Sequence, residues 1–291
     1  LNAALMQDGP VVLADRGARL PARIDLVFLN AAASALSSHT RLVVALEDGA
    51  EIDLLETHMG RDGDVYFANP VAEIALGANA ALRRWRLQDE SVEAFHLART
   101  TARLSRDSRY RSVALNVGGR LSRDEIAIGL NATGAHVDLF GAYFGRGEQL
   151  LDTTSIIDHA AAHTTSSEIY KGVVDDAAKG VFQGRIEVKR DSQKIEGHQM
   201  SRGLLLSDRA AINAKPELEI FADDVKCSHG ATIGQLDQDA LFYLRARGVP
   251  ADRAQAMLIE AFAGEIFETI EDEPIAAAFA ERARVWMRAR G

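Results

Sequence analysis

The sequence contains very little cysteine: one residue, Cys227, in a chain of 291. A single cysteine excludes a disulfide within the chain, and it excludes a metal site made only of cysteines from one chain. Disulfides accumulate in secreted proteins, so their exclusion here indicates a reducing compartment. We therefore expect a cytoplasmic protein.

Long apolar runs and an excess of basic residues are also missing. No stretch approaches the ~18 apolar residues of a membrane-spanning helix, and the first residues lack the basic start and apolar core of a secretory signal. Acidic residues outnumber basic ones by 42 to 33, which gives a net charge of −9. This charge disfavours binding to a phosphate backbone. We expect neither a membrane nor a nucleic acid as partner, and because the chain begins at Leu1 rather than Met we expect a fragment of a longer protein.

Proline is absent from Val71 to Lys215. Because proline removes a hydrogen bond from a sheet, this long region favours extended, continuous strands. Apolar residues alternate along residues 1–232, which predicts strands with one buried face, and glycine-containing turn signals separate them. The alternating sets are Val113, Leu115 and Val117; Ile126, Ile128 and Leu130; Ala135, Val137 and Leu139; Ile186 and Val188; Leu218 and Ile220. The turn signals are Asp48-Gly49, Asp62-Gly63, Gly118-Gly119 and Gly145-Arg146-Gly147.

The spacing between these strands leaves two architectures open. A distance of about 8–12 residues between strand centres is typical of a sandwich or a barrel. It also fits the coils of a solenoid whose repeats have diverged. The sequence contains no exact repeat, so the spacing does not decide between them.

Residues 233–291 have a helical pattern. Asp237 is the predicted N-cap of a first helix that stops near Gly248, and Pro250 suits the first turn of a second helix. In that second helix the residues predicted to face inward are Ala254, Leu258, Ala261, Phe262, Ile266 and Ile270. A third helix is predicted to open with the acidic segment 271–274 and to end among Arg282, Arg284, Arg288 and Arg290, in agreement with the helix dipole. Because the segment 233–291 is too short to bury much apolar surface by itself, we expect it to dock on the β region or on a partner.

Cys227 and His229 are the most informative pair of side chains. On a strand they leave the same face, with Cα atoms roughly 6.6 Å apart. Thiolate and imidazole both bind iron or zinc, but a tetrahedral site or an iron–sulfur cluster takes about four ligands. Other residues of the chain or a partner must then supply the rest. We expect Lys226 to lower the pKa of the thiol, although a lone cysteine is more often a small buried side chain.

Weaker candidates accompany this pair. His159 and His163 would share one face of a helix, as metal ligands often do, but a solvated turn is the plainer interpretation. A nucleophile built from Cys227, a histidine and an acid is possible in principle, and nothing in the spacing favours it. No Gly-Lys-Ser/Thr follows a glycine-rich loop, so the sequence shows no signature of ATP hydrolysis.

The segment Lys215–Thr232 closely resembles the SufB/SufD family of iron–sulfur cluster assembly proteins, and its SufD branch most of all. The resemblance is dense from about residue 150 to 270 and looser before that. It continues in Gly234–Asp237, Leu241–Gly248 and Ala261–Glu265, and it includes Asp158-His159, Tyr170–Gly172 and Gly180–Ile186 upstream. Members of the family usually carry a helical region before the β region, so the resemblance implies an N-terminally truncated chain.

The resemblance implies a mainly β fold: a right-handed parallel β-helix over residues 1–232, followed by a C-terminal α-helical segment over 233–291 that docks an ATPase. It also implies a scaffold subunit of the SUF assembly complex, not an enzyme by itself. The partners would be a SufB-like subunit and a SufC-like ABC ATPase, with a homodimer as a further possibility. The last strands of the β-helix would form the interface with SufB or with a second SufD.

The resemblance further implies that His229, with Cys227, is half of a nascent-cluster site at that interface. No cofactor would be held permanently, and an iron–sulfur cluster or iron would bind there transiently; a contribution to flavin binding stays open. The alternative function is a β-helix enzyme acting on polysaccharide, which needs paired carboxylates and aromatic platforms. Aromatic residues make up only 6% of the chain.

Overall fold

A computed structural model describes residues 1–31 and 36–288 of the protein, so the predicted helix end at Arg290 lies outside the described residues. Parallel strands dominate, and helices follow them. The strands are β1 (Val11–Ala14), β2 (Ile24–Asn30), β3 (Leu36–Ser38), β4 (Arg41–Leu46), β5 (Glu51–Gly60), β6 (Tyr66–Ala68), β7 (Val71–Leu76), β8 (Ala81–Asp89), β9 (Phe95–Leu104), β10 (Arg109–Asn116), β11 (Leu121–Leu130), β12 (His136–Gly145), β13 (Leu150–His159), β14 (Thr165–Val174), β15 (Lys179–Val188), β16 (Ile195–Leu205), β17 (Ala211–Ile220) and β18 (Val225–Gln235). The helices are α1 (Asn2–Leu5), α2 (Gln238–Ala246), α3 (Ala251–Phe267) and α4 (Glu273–Arg288).

The strands form two parallel sheets that the chain visits in turn. One sheet has the order β1-β4-β7-β9-β11-β13-β15-β17, with β3 and β6 beside this path, and the other has the order β18-β16-β14-β12-β10-β8-β5-β2. Most of the chain therefore winds in coils, and each coil contains one strand of the first sheet and one strand of the second. The predicted fold class, a parallel β-helix followed by C-terminal helices, is confirmed, and the sandwich and barrel are excluded.

Backbone turns stack along one corner of the coils. Gly49 N donates to Ala78 O at 2.8 Å, Asn79 N to Arg106 O at 2.8 Å, and His163 N to Gln193 O at 2.9 Å. The left-handed backbone conformation recurs in this stack, at Gly49, Asn79, Asp107, Gly134, His163 and Lys194. The predicted turns at Gly49, Gly63, Gly119 and Gly147 are confirmed, since each of these glycines has a positive φ. The repeat is thus set by backbone conformation rather than by one residue type.

Inward-facing apolar side chains fill the β-helix. The core that they form includes Leu54, Leu82, Tyr110, Ile128, Leu130, Val137, Leu139, Tyr170 and Phe182. Two of the predicted alternating sets, which begin at Ile126 and Ala135, face this core. The set of Val113, Leu115 and Val117 faces outward instead, into a second core beneath the helices. Alternation alone identifies a buried face but not which of two cores buries it.

The second core lies between one sheet and the C-terminal helices. The outer face of the sheet containing β8, β10, β12 and β14 contributes Trp85, Leu115, Phe144 and Val173, and the helices contribute Ile259, Ala263, Phe267, Phe279 and Trp286. The helical segment therefore docks on the β region, which was one of the two predicted docking surfaces. Over the described part of the chain, none of the helices has the length and apolar character needed to span a membrane.

The predicted helix ends agree closely with the structure, and the predicted buried face agrees in part, since Ala254, Ile266 and Ile270 are buried. Asp237 caps α2 by accepting hydrogen bonds from Asp239 N at 2.9 Å and Ala240 N at 3.1 Å. Pro250 precedes α3 rather than lying in its first turn. Ala261 is exposed, and the buried residues are Ala254, Ile259, Ala263, Ile266 and Phe267. The face is shifted because α3 contacts both the sheet and α4.

Charged contacts surround the second core and hold the helices against the sheet. Lys171 on β14 is buried, and its Nζ lies 2.7 Å from the carbonyl oxygen of Phe262 and 2.6 Å from Glu265 Oε2. Arg282 makes a bidentate pair with Asp89, with distances of 2.5 and 2.6 Å. A movement of α3 or α4 would therefore act directly on the strands beneath.

The interior of the N-terminal coils also contains a network of buried charges. Arg84 makes two hydrogen bonds to Glu56, at 2.5 and 2.9 Å, and both side chains are only 3% exposed. Burial disfavours the charge on Glu56, but the Arg84 guanidinium outweighs burial and holds the pKa of Glu56 below its ordinary value. Arg86 pairs with Asp124 at 2.6 Å. These pairs cross from one coil to the next and link the coils inside the β-helix.

We predict that Glu56→Gln destabilises the fold by about 3–5 kcal/mol, because it leaves the Arg84 charge buried without its counter-charge. The matched control is Glu125→Gln, which breaks the exposed cross-strand pair of Glu125 with Arg99 and should cost at most about 1 kcal/mol. Urea unfolding of the three proteins measures both values. Equal costs for the two substitutions would contradict a structural role for the buried pair.

Glu168 lies in the interior of the C-terminal coils and has no basic partner among the groups that set its pKa. Burial raises the pKa of this carboxyl to about 7, against the opposing effect of the hydrogen bond from Gln199. Its value in the unfolded chain is near 4.5. Between these two values the folded protein holds a proton that the unfolded chain releases, so Glu168 lowers the stability of the fold as pH rises.

We predict that Glu168→Gln becomes more stabilising, relative to the unchanged protein, as pH rises from 5 to 8. The difference in unfolding free energy between variant and parent should increase by about 2–3 kcal/mol, since one pKa unit corresponds to 1.36 kcal/mol. Urea unfolding at the two pH values measures it. A difference that is the same at both would show that Glu168 titrates normally in the fold.

Candidate functional site

Cys227 and His229 lie on β18, the last strand of its sheet. β18 pairs with β16 only, in a register that places Cys227 beside Gly197 and His229 beside Gln199. β17 ends the other sheet in the same way. The coil made of β17 and β18, which we call the terminal coil, therefore has one edge that no described residue covers. Strand β18 reaches Gln235, slightly beyond the predicted limit of 232.

The terminal coil exposes apolar side chains. Phe221 is 60% exposed, Ile233 is 45% exposed and Ile220 is 37% exposed. Its inward residues Leu218, Ala222, Val225 and Cys227 are only partly buried, against Ile186, Val188 and Ile195 of the coil below. Unpaired strand edges together with exposed apolar side chains are typical of a surface that another chain covers.

The thiol of Cys227 is half-buried at the inner side of β18. A side chain at Gly197 would meet Sγ at 3.3 Å from its Cβ, so the glycine provides the space that the sulfur uses. Burial raises the pKa of Cys227, and a backbone hydrogen bond from Gly197 opposes this only in part. The prediction that Lys226 lowers this pKa is wrong. Lys226 points to the opposite face of the strand and pairs with Glu196 at 3.2 Å.

His229 is exposed and leaves the same face of β18 as Cys227. On the opposite face, Ser228 Oγ lies 2.9 Å from Nδ1 of His198 on β16, an exposed contact away from the face that carries Cys227 and His229. A thiol and an imidazole thus stand side by side at the rim of the terminal coil. Within residues 1–31 and 36–288, no three His, Cys, Asp or Glu side chains are grouped as a metal site would need. The assignment of Cys227 and His229 as ligands stays a prediction.

His159 and His163 are not brought together. His159 ends β13 with its ring buried, 2.8 Å from Thr164 Oγ1 through Nδ1 and 2.9 Å from Ser166 Oγ through Nε2. Burial lowers its pKa to about 4. His163 lies in the following turn, exposed and with a φ of 59°. The helix that would have placed the two rings on one face is absent, because this segment is a strand and a tight turn.

Two polar residues beneath the site went unnoticed in the sequence. Glu168 on β14 and Gln199 on β16 are both buried, and Gln199 Nε2 donates to Glu168 Oε2 at 2.7 Å. The sequence signal that could have found them was their position on the inward-facing side of an alternating strand. Glu168 lies two residues after Ser166 and two before Tyr170 on an alternating strand, so its side chain faces inward. A charged residue at an inward position of a strand is rare unless it is paired.

Comparison with known proteins agrees with this architecture. Residues 28–262 match the family model described as "SUF system FeS cluster assembly, SufBD core domain". An iron–sulfur cluster assembly SufBD family protein of Synechocystis sp. is 37% identical over 279 residues, which cover 93% of this chain and 62% of the relative. The protein named ABCI7, chloroplastic, of Arabidopsis thaliana is 36% identical, over 82% of this chain and 50% of the relative. The iron–sulfur cluster assembly protein SufD of Escherichia coli is 32% identical, over 81% of this chain and 56% of the relative.

The chain thus spans between 50% and 62% of the length of these three relatives. The match to the family model covers nearly all of the β-helix together with α2 and most of α3. Both the strand pattern and the segment around Cys227 fall inside the matched region. The chain belongs to the SufBD core family of the SUF system for iron–sulfur cluster assembly.

Proposed function

We propose that the protein is a SufD-like scaffold subunit that assembles with a SufB-like subunit and a SufC-like ATPase to build or transfer nascent iron–sulfur clusters. The observation that carries the proposal is the placement of Cys227 and His229 on one face of the terminal coil, beside an uncovered strand edge. The cluster is the cargo of this assembly and not a permanent cofactor. The subunit itself catalyses no reaction.

The donor count supports an interface site. Cys227 and His229 offer two ligands, one thiolate and one imidazole, whereas iron–sulfur clusters are usually held by about four. The remaining ligands must come from a neighbouring surface, and the terminal coil is where a neighbour fits. The exposed Phe221 and Ile233 beside the motif provide apolar area that such a neighbour would bury. A SufB-like subunit is the proposed neighbour, and a second copy of this chain is the alternative occupant.

The helices support docking of an ATPase. α2 has no buried residue, and its Phe242 and Tyr243 are 74% and 57% exposed. Aromatic side chains of this kind are enriched among the residues that dominate binding energy at interfaces. Because α3 is held on the sheet by Lys171 and α4 by Arg282, a displacement of the helices by an ATPase would move the β-helix as well. Such movement would open or close the interface that contains the Cys227–His229 pair.

A cytoplasmic location remains part of the proposal, and it rests on the near absence of cysteine. The polysaccharide alternative has no specific observation in its favour among the described residues. The buried carboxylates of Glu56 and Asp124 are occupied by Arg84 and Arg86 inside the β-helix and do not face a groove.

We predict that His229→Ala lowers the rate of cluster assembly at least about tenfold in the complex reconstituted with SufB- and SufC-like subunits. The visible absorbance of the cluster reports the rate, and gel filtration reports whether the complex still forms. The matched control is His198→Ala, which removes a histidine from the adjacent strand on the opposite face. Full assembly activity with His229→Ala in an intact complex would rule out the half-site.

We predict that the double substitution Phe242→Ala and Tyr243→Ala weakens binding to the SufC-like ATPase by roughly 30-fold, the effect of losing about 2 kcal/mol of interface energy. Thermal stability should not change, because both side chains are exposed. Deletion of residues 233–291 is a poorer test, since it would uncover Phe144 and the rest of the second core. Val92→Ala, at a loop residue that is 50% exposed, is the control. An unchanged Kd would place the docking surface elsewhere.

A further inference from the structure

Three inward-facing polar residues lie in register on consecutive coils beneath the rim of the β-helix. Glu168 on β14 pairs with Gln199 on β16, and Gln199 pairs with His229 on β18. Neighbouring parallel strands are about 4.8 Å apart, so each side chain can reach the next one in the column but not the one after. Gln199 is therefore the inward polar side chain that register places directly beneath His229.

The carboxamide of Gln199 is held in place on one side only. Gln199 is 2% exposed, and Nε2 donates to Glu168 Oε2 at 2.7 Å. A Cβ at Gly184, on the opposite sheet, would overlap this carboxamide, so the glycine makes room for it. The other amide atom, Oε1, has no hydrogen-bond partner in the part of the chain that the structure describes. A buried carbonyl oxygen without a partner is costly, and such cases usually mark a group waiting for a ligand or a donor.

His229 supplies the matching donor. Its imidazole has no hydrogen-bond partner within residues 36–288, and it leaves β18 on the side that faces Gln199. A histidine that ligates a metal through one ring nitrogen almost always donates the N–H of the other nitrogen to an oxygen acceptor, which fixes the tautomer and the ring orientation. An unpartnered acceptor and an unpartnered imidazole therefore belong to paired residues of adjacent strands.

We propose that Gln199 is a positioning residue for His229: its Oε1 accepts the N–H of one ring nitrogen and leaves the other ring nitrogen free to ligate at the terminal coil. Glu168 anchors the carboxamide from below and so determines which amide atom faces His229. The ligand role of His229 rests on the function proposed above, whereas the hydrogen bond does not.

The first experiment reads the tautomer of His229 in the isolated chain. Proton–nitrogen correlation spectra of protein labelled with ¹⁵N-histidine distinguish the two ring nitrogens. We expect a single dominant tautomer in the unchanged protein and a mixture in Gln199→Met, which keeps the length of the side chain and removes the acceptor. Gln199→Glu restores an acceptor oxygen and should restore one tautomer. Gln235→Met, the same chemical change at an exposed position of β18, is the control.

The second experiment measures cluster assembly in the reconstituted complex. We expect Gln199→Met to lower the assembly rate about 10- to 100-fold, the usual effect of removing the partner of a ligating histidine, and Gln199→Glu to recover most of it. Circular dichroism of each variant confirms that the fold is kept. If Gln199→Met unfolds the chain, Glu168→Gln supplies the test: it keeps Oε1 of Gln199 but lets the carboxamide flip, so we expect a mixture of His229 tautomers, and a single unchanged tautomer would overturn the positioning role.

The outcomes separate the two proposals. An unchanged His229 tautomer in Gln199→Met overturns the positioning role, whatever His229 does in cluster assembly. A changed tautomer together with full assembly activity in Gln199→Met overturns the functional importance of the contact. A changed tautomer together with full assembly activity in His229→Ala supports the hydrogen bond and overturns the half-site instead.

Discussion

The hydrogen bonds between successive coils are the interaction on which the rest of the structure depends. Along the two main sheet paths of the described residues, each inner strand bonds to the coil before it and to the coil after it, and the unpaired edges lie at the ends of the stack. The terminal coil is one of these ends, and its edge at β18 carries Cys227 and His229. Under the function proposed above, the subunit would need no separate binding module, because the end of the stack would provide the surface.

The second core adds a constraint on the outer face of one sheet. Phe144 and Val173 face outward from strands β12 and β14, where a bare β-helix would present them to water. Helices α3 and α4 cover them, and the buried Lys171 and the Arg282–Asp89 pair fix the helices there. The same segment thus covers the outer face of the β-helix and exposes Phe242 and Tyr243 on α2. This arrangement joins an exposed surface on α2 to the strands that lead to the terminal coil.

The sequence predicted the strands, most turns and the helix ends, because these depend on local alternation and on single residues such as Asp237 and Gly248. The repeat was invisible because glycine, asparagine, aspartate, histidine and lysine all occupy the same left-handed turn position in different coils. For the same reason His163 resembled a ligand although it is a turn residue. Gln199 and Glu168 were missed because their importance comes from register between strands about 30 residues apart, which no local pattern contains.

The half-burial of Cys227 bears on how the proposed site would work. Burial raises the pKa of the thiol, so at neutral pH the isolated chain holds it protonated and poorly nucleophilic. A metal ion bound to sulfur removes this proton outright, and so metal binding, rather than the surrounding protein, would generate the thiolate. His229 is exposed at the rim, so in the proposed site its imidazole would meet an incoming ion before the half-buried thiol does. The pair therefore suits transient loading: the imidazole captures the ion, and the thiol becomes a ligand only once the ion and the partner surface are in place.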